Sequence, residues 1–114
     1  MITLTNVGAN YDTIAAARGL GIALIDFRGA TQVRFVVYHQ KVGTGTISYQ
    51  LWNETDGVEI CVLNDAGAAA VRLLDQTFTG LAINGVKLCR IRAKSTVSTD
   101  DPIFFGAAVN PSVT

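Results

Sequence analysis

Scarcity is the first thing this chain shows. It has one histidine, His39, two cysteines, Cys61 and Cys89, two prolines, one methionine and one tryptophan. Charged residues make up only 16% of it, against about a quarter in an ordinary soluble domain. Neither sign is in excess: nine basic residues balance nine acidic ones, which removes the electrostatic case for nucleic acid. The one basic cluster, KLCRIRAK, alternates with apolar residues, so a strand places Lys87 opposite Arg90 and Arg92 and no basic face forms. No apolar run approaches the roughly 20 residues that cross a bilayer, and no membrane role is expected. The start MITLTNVGANYD has neither the basic nor the apolar region of a secretory leader, so synthesis in a cytoplasm is expected.

Chemistry-bearing constellations are equally sparse. A catalytic histidine works beside a nucleophile and an orienting carboxylate. No nucleophile-elbow or Cys-His signature accompanies His39, which shares a strand face with Val33, Phe35 and Val37 and is expected at a sheet edge. The carboxylates fall in turns: Glu54 and Asp56, then Asp65, then Asp100 and Asp101. Aspartates there serve turn geometry, and no DxDxDG-type run gathers the six or more oxygens that calcium takes. Gly43 and Gly45 precede no helix whose amides could hold a phosphate. Cys61 and Cys89 sit inside apolar strand patterns as small buried hydrophobes, with no metal spacing; their pairing depends on whether their strands are neighbours. The expectation is no enzyme, no metal and no cofactor.

What is present is strand signal. Period-two alternation marks strands at 2–5, 20–27, 32–42, 47–52, from 58, at 71–78, 86–95 and 103–109. The segment 11–18 reads as an extended connection, and 96–102 as a polar turn. Val42-Gly43-Thr44-Gly45 reads as a glycine-punctuated hairpin, and Asp56-Gly57 closes another. About eight short strands without a crossover helix predict an all-β antiparallel sandwich, one domain over 1–114 with a short tail at 110–114. The expected core includes Phe35, Val37, Leu51, Ile60, Leu88, Ile91 and Phe105.

Apolar residues make up 49% of the chain, more than one small core needs. The surplus predicts an interface with its own copies or with another protein. Trp52, followed by Asn53 and Glu54, is the candidate interface or, alternatively, a platform on which a sugar ring stacks. Tyr49 lies on the opposite face of the same strand.

The segments DFRGATQVRFVVY, GTGTISYQLWNETDGVEI, GVKLCRIRAKST and DPIFFGAAV together resemble jelly-roll sandwiches of the galactose-binding and carbohydrate-binding-module kind. That resemblance implies a jelly-roll fold and, as one function, carbohydrate binding. The chain lacks the paired exposed aromatics and the ligand-loop carboxylates of those sugar binders. With its TLTNVGANYD start it also resembles small virion proteins of tailed bacteriophages, including capsid decoration or cement proteins. This second resemblance implies a non-enzymatic structural protein of the virion, made in the host cytoplasm. It would form a homo-oligomer, a trimer by analogy, and sit on the major capsid protein or another virion protein.

Overall fold

A computed structural model describes residues 2–3, 22–97 and 102–113, with backbone alone for Ile2, Thr3 and Ile22. The extended segment expected at 11–18 and part of the turn at 96–102 lie outside the described residues. Among the described residues there are eight strands: β1 (Ile2–Thr3), β2 (Ile22–Asp26), β3 (Gln32–Gln40), β4 (Ile47–Asn53), β5 (Val58–Asp65), β6 (Val71–Phe78), β7 (Val86–Ser95) and β8 (Ile103–Ser112). They form two four-stranded antiparallel sheets, ordered β1-β8-β3-β6 and β2-β7-β4-β5.

The order has a simple origin. β1 pairs with β8, β2 with β7, β3 with β6 and β4 with β5, so the chain is one long hairpin with its tip at the β4–β5 turn. Rolling that hairpin makes β8 a neighbour of β3 and β7 a neighbour of β4. The result is an all-β sandwich of jelly-roll order. Its core lies between the sheets: Val33, Phe35 and Val37 of β3 meet Ile47, Tyr49 and Leu51 of β4, with Leu63, Ile91 and Phe104 around them.

Several local expectations change under this topology. The 42–45 segment is no hairpin: β3 and β4 belong to different sheets, and the segment turns the corner between them. The true hairpin is at Asn53–Gly57, where Gly57 takes φ 68° and its amide bonds the Asn53 carbonyl at 2.9 Å. The β2–β3 corner is a tight turn at Arg28-Gly29, with φ of 50° and 73° and the Ala30 amide donating to the Phe27 carbonyl. Both residues therefore occupy the left-handed region of a type I′ turn. The supposed tail belongs to β8, whose Asn110, Pro111 and Ser112 pair with β3.

Of the expected core, Phe35, Val37, Leu51 and Ile91 are buried, while Ile60, Leu88 and Phe105 are only half-buried. Two of these corrections come from β-bulges. In β8 the register slips between Tyr38 and His39, leaving Phe105 as the extra residue and sending Phe104 inward instead. In β5 a slip opposite Leu51 and Trp52 makes Ile60 the extra residue and turns Cys61, Leu63 and Asp65 inward. Leu88 pairs with Leu24 on the outer side, because Cys89 and Ile91 hold the inner phase of β7.

Candidate functional site

Three regions carry polar or apolar groups in unusual places. The first lies inside the sandwich, at the end of β3. His39 is wholly buried in an interior strand, not at a sheet edge as expected. Its Nε2 lies 2.8 Å from Asp65 Oδ2 and its Nδ1 2.8 Å from the Tyr49 hydroxyl. A carboxylate only accepts, so Nε2 carries the proton and Nδ1 accepts from Tyr49. Asp65 also accepts from Arg72 Nη1 at 3.0 Å and from the Gly67 amide at 2.9 Å. A Cβ at Gly67 would come 2.9 Å from the Arg72 guanidinium, so a side chain there would push that guanidinium aside. Lys41 is buried alongside and gives its ammonium to the Gly43 carbonyl at 3.0 Å.

The electrostatics of this knot follow from burial opposed by pairing. Burial pushes the His39 pKa below its ordinary value, outweighing the pull of Asp65. Burial raises Asp65, yet the Gly67 amide, His39 and Arg72 together hold its carboxyl below the usual carboxylate range. Tyr49 is driven upward by burial and by the Asp65 charge, and stays a phenol. An Asp–His pair aimed at a hydroxyl is the geometry of a general base on a nucleophile. Here the hydroxyl belongs to a wholly buried tyrosine, so no substrate atom can reach it. Every member has a partner within the fold, and the knot ties β3 and β6 of one sheet to β4 and β5 of the other.

The second region is the outer face of β2-β7-β4-β5, where Trp52 lies. Arg92 sets its guanidinium 4.0 Å from the Trp52 ring centroid and donates from Nε to Gln50 at 2.8 Å. Gln50 in turn donates to Glu59 at 2.9 Å, and Ser48 to Asn64 at 2.6 Å. Glu54 pairs with Arg90 at 3.1 Å. Asn53 points the other way: it is buried and bonds Asp56 twice, organising the β4–β5 turn. Trp52 and Glu54 share the outer face, where Glu54's partner Arg90 stands opposite Trp52, while Asn53 lies on the inner side. A cleft of about 480 Å³ lies beyond that turn, lined by Asn53, Asp56, Glu59, Leu81, Asn84 and Lys87. Among the described residues no aromatic ring lines it, and Asp56 is paired with Lys87 at 2.9 Å.

The third region is the outer face of β8-β3-β6, the side of β3 that carries Arg34, Val36 and Tyr38 and that its mixed character predicts to be partly covered. Val36, Tyr38, Val71, Leu73, Phe105 and Ala108 share this face. Tyr38 is 46% exposed and Leu73 59%, with Val71 and Ala108 also exposed. The bulge lays Phe105 against Tyr38, ring centroids 4.9 Å apart. An Arg34–Asp75 pair, Nε to Oδ1 at 2.9 Å, closes one end. The available signal was the alternation itself: β3 has valine, then tyrosine, on the side opposite its core residues.

The two cysteines are buried and free. β5 and β7 flank β4 on opposite sides, so their strands are not neighbours. Burial pushes the Cys61 thiol up to about 12 and Cys89 to about 11, which keeps both protonated and unreactive. Among the described residues no three His, Cys, Asp or Glu side chains gather as a metal site. No protein-family profile, characterised protein or solved structure matches this chain.

Proposed function

We propose that the chain is a non-enzymatic structural protein of a bacteriophage virion, a decoration or cement protein that self-associates and docks on the shell. The observation that carries this reading is the exposed apolar face around Tyr38, Phe105 and Leu73. A soluble sandwich leaves such a face in water only at a cost, and a protein surface that covers it removes that cost. Tyrosine and phenylalanine are the side chains that anchor such contacts. Many copies on a symmetric shell would add multivalent strength to a modest single contact. Jelly-roll order recurs in viral shell proteins and in lectins, so the fold admits both this role and the sugar-binding one.

Two observations favour assembly over sugar binding. Arg92 stands 4.0 Å over the Trp52 ring, where a sugar would stack, and among the described residues no aromatic side chain lines the cleft beyond the turn. Electron microscopy of particles from the organism that makes this chain tests the proposal. The expected result is density for this sandwich on the shell, with the Tyr38 and Phe105 face turned inward. Particles whose density accounts for every shell component without this chain overturn it.

A further inference from the structure

Four asparagines lie among the described residues, and three of them are guarded. Asn53 is buried with both atoms of its amide engaged by Asp56, and the amide that follows it, of Glu54, donates to the Leu88 carbonyl at 2.8 Å. Asn64 accepts from Ser48 at 2.6 Å and is followed by the buried Asp65. Asn110 precedes Pro111, whose nitrogen carries no hydrogen. Asn84 differs on every count. It is exposed, and neither its side-chain amide nor the Gly85 amide after it makes a hydrogen bond among the described residues. Gly85 takes φ 83°, a conformation that favours glycine, and a Cβ built there would meet nothing within 4 Å. The fold thus keeps at 85 the one residue type that leaves the peptide nitrogen after Asn84 unshielded. Asp56-Gly57 is the contrasting turn: its glycine amide donates to the Asn53 carbonyl at 2.9 Å, and Lys87 holds its carboxylate.

We infer that Asn84 is a self-modifying site, which closes on the Gly85 nitrogen and converts to aspartyl and isoaspartyl forms. The Gly85 nitrogen gives its proton to water and bonds to Cγ of Asn84. The Cγ–Nδ2 bond breaks, and ammonia leaves with a proton taken from solvent. Water then opens the succinimide ring at one of its carbonyls. Opening at Cγ leaves aspartate on an ordinary backbone. Opening at the main-chain carbonyl leaves isoaspartate, which routes the chain through Cγ and lengthens it by a methylene. Nothing is oxidised or reduced, and water is the only co-reactant. The lengthened residue falls between two anchors. The Ile83 amide donates to the Ala30 carbonyl at 3.2 Å, and the Gly85 carbonyl accepts from the Phe27 amide at 3.0 Å. Their partners flank the Arg28-Gly29 turn and belong to the buried core. A methylene inserted between the anchors takes these two hydrogen bonds out of register, so the corner that holds Phe27 and Ala30 loosens.

The test is to age the folded, full-length chain in neutral buffer at physiological temperature and to map it by peptide mass spectrometry with isoaspartate detection. Most of the modified chain should carry the change at 84. No modification over weeks, or modification concentrated at any other asparagine, overturns the site. The urea midpoint of the aged protein should fall in step with its isoaspartate content, and Asn84→Gln aged in the same way should keep both its mass and its midpoint. An aged wild type that unfolds like fresh protein overturns the loosening of the corner. Asn84→Asp carries the new charge on an ordinary backbone and should unfold close to fresh wild type. A midpoint as low as that of the aged protein would make charge, not chain length, the cause and overturn that part of the inference. None of these outcomes depends on whether the chain binds a shell.

Discussion

Tyr38 and His39 are consecutive residues of β3 that face opposite ways, and each inverts the ordinary partition of side chains. On the inner side a histidine, an aspartate and a lysine are buried, with Arg72 partly so. On the outer side aromatic and aliphatic groups stand in water. The two inversions differ in whether the fold resolves them. Each polar group of the knot has a hydrogen-bond or ionic partner supplied by another strand or loop, so its desolvation is offset internally. The apolar face has no such cover among the described residues. A satisfied anomaly explains structure; an unsatisfied one points to a partner. That is why the function is sought around Tyr38 and not around the histidine.

The comparison breaks most visibly at Asp65. Asp65→Ala leaves Arg72 and His39 without their shared acceptor, and a loss of about 3–5 kcal/mol in denaturant unfolding is expected. The proposed docking face is on the other side of β3, so on that reading whatever fraction stays folded should still bind the shell. A loss of binding by folded protein would mean that the two sides are one site.

Acid sharpens the same contrast. His39 is held below its ordinary 6.5, so once unfolded it takes up a proton that the fold refuses. The unfolded state then binds more protons, and stability falls as the pH drops below about 6.5. Asp65, held below 3.8, adds a second loss with the same sign as the pH falls past that value. Urea midpoints measured from pH 8 to pH 5 should decline toward the acid side. A flat profile would show that the knot accepts a proton without cost.

The Trp52 face supplies an intermediate case, polar but largely buried and internally bonded. Trp52→Ala removes the ring beneath Arg92 and should cost about 1–2 kcal/mol, with no effect on assembly. The smallest expected stability change is at Tyr38, half in water and part of no polar network. Tyr38→Ser removes the ring packed on Phe105 and should cost about 1 kcal/mol, while shell binding falls steeply. A Tyr38→Ser protein that binds as before would take the docking face elsewhere.

Much of the strand plan was legible from alternation, because residues that share a buried face must recur at period two. That placed Phe35 and Val37 in the core, Tyr49 opposite Trp52, and Cys61 and Cys89 inside. It failed at Ile60 and Phe105, where a bulge inserts one residue and inverts the phase of the strand beyond it, with no local residue to announce it. The glycines at 43 and 45 marked a turn correctly but not whether it stayed within one sheet. Asp65 looked like a loop carboxylate because its partners, His39 and Arg72, lie 26 and 7 positions away on strands of the opposite sheet.

The sequence by itself therefore determined the element type, the strand positions and the scarcity of charge, since each depends on neighbours within a few residues. Only the tertiary structure decided the sheet order, the burial of His39 with Asp65, and which apolar residues remain in water. Those depend on how the rolled hairpin brings distant strands together, and pairing between strands is governed by backbone register and by packing across the two sheets. No single strand carries that information in its own residues.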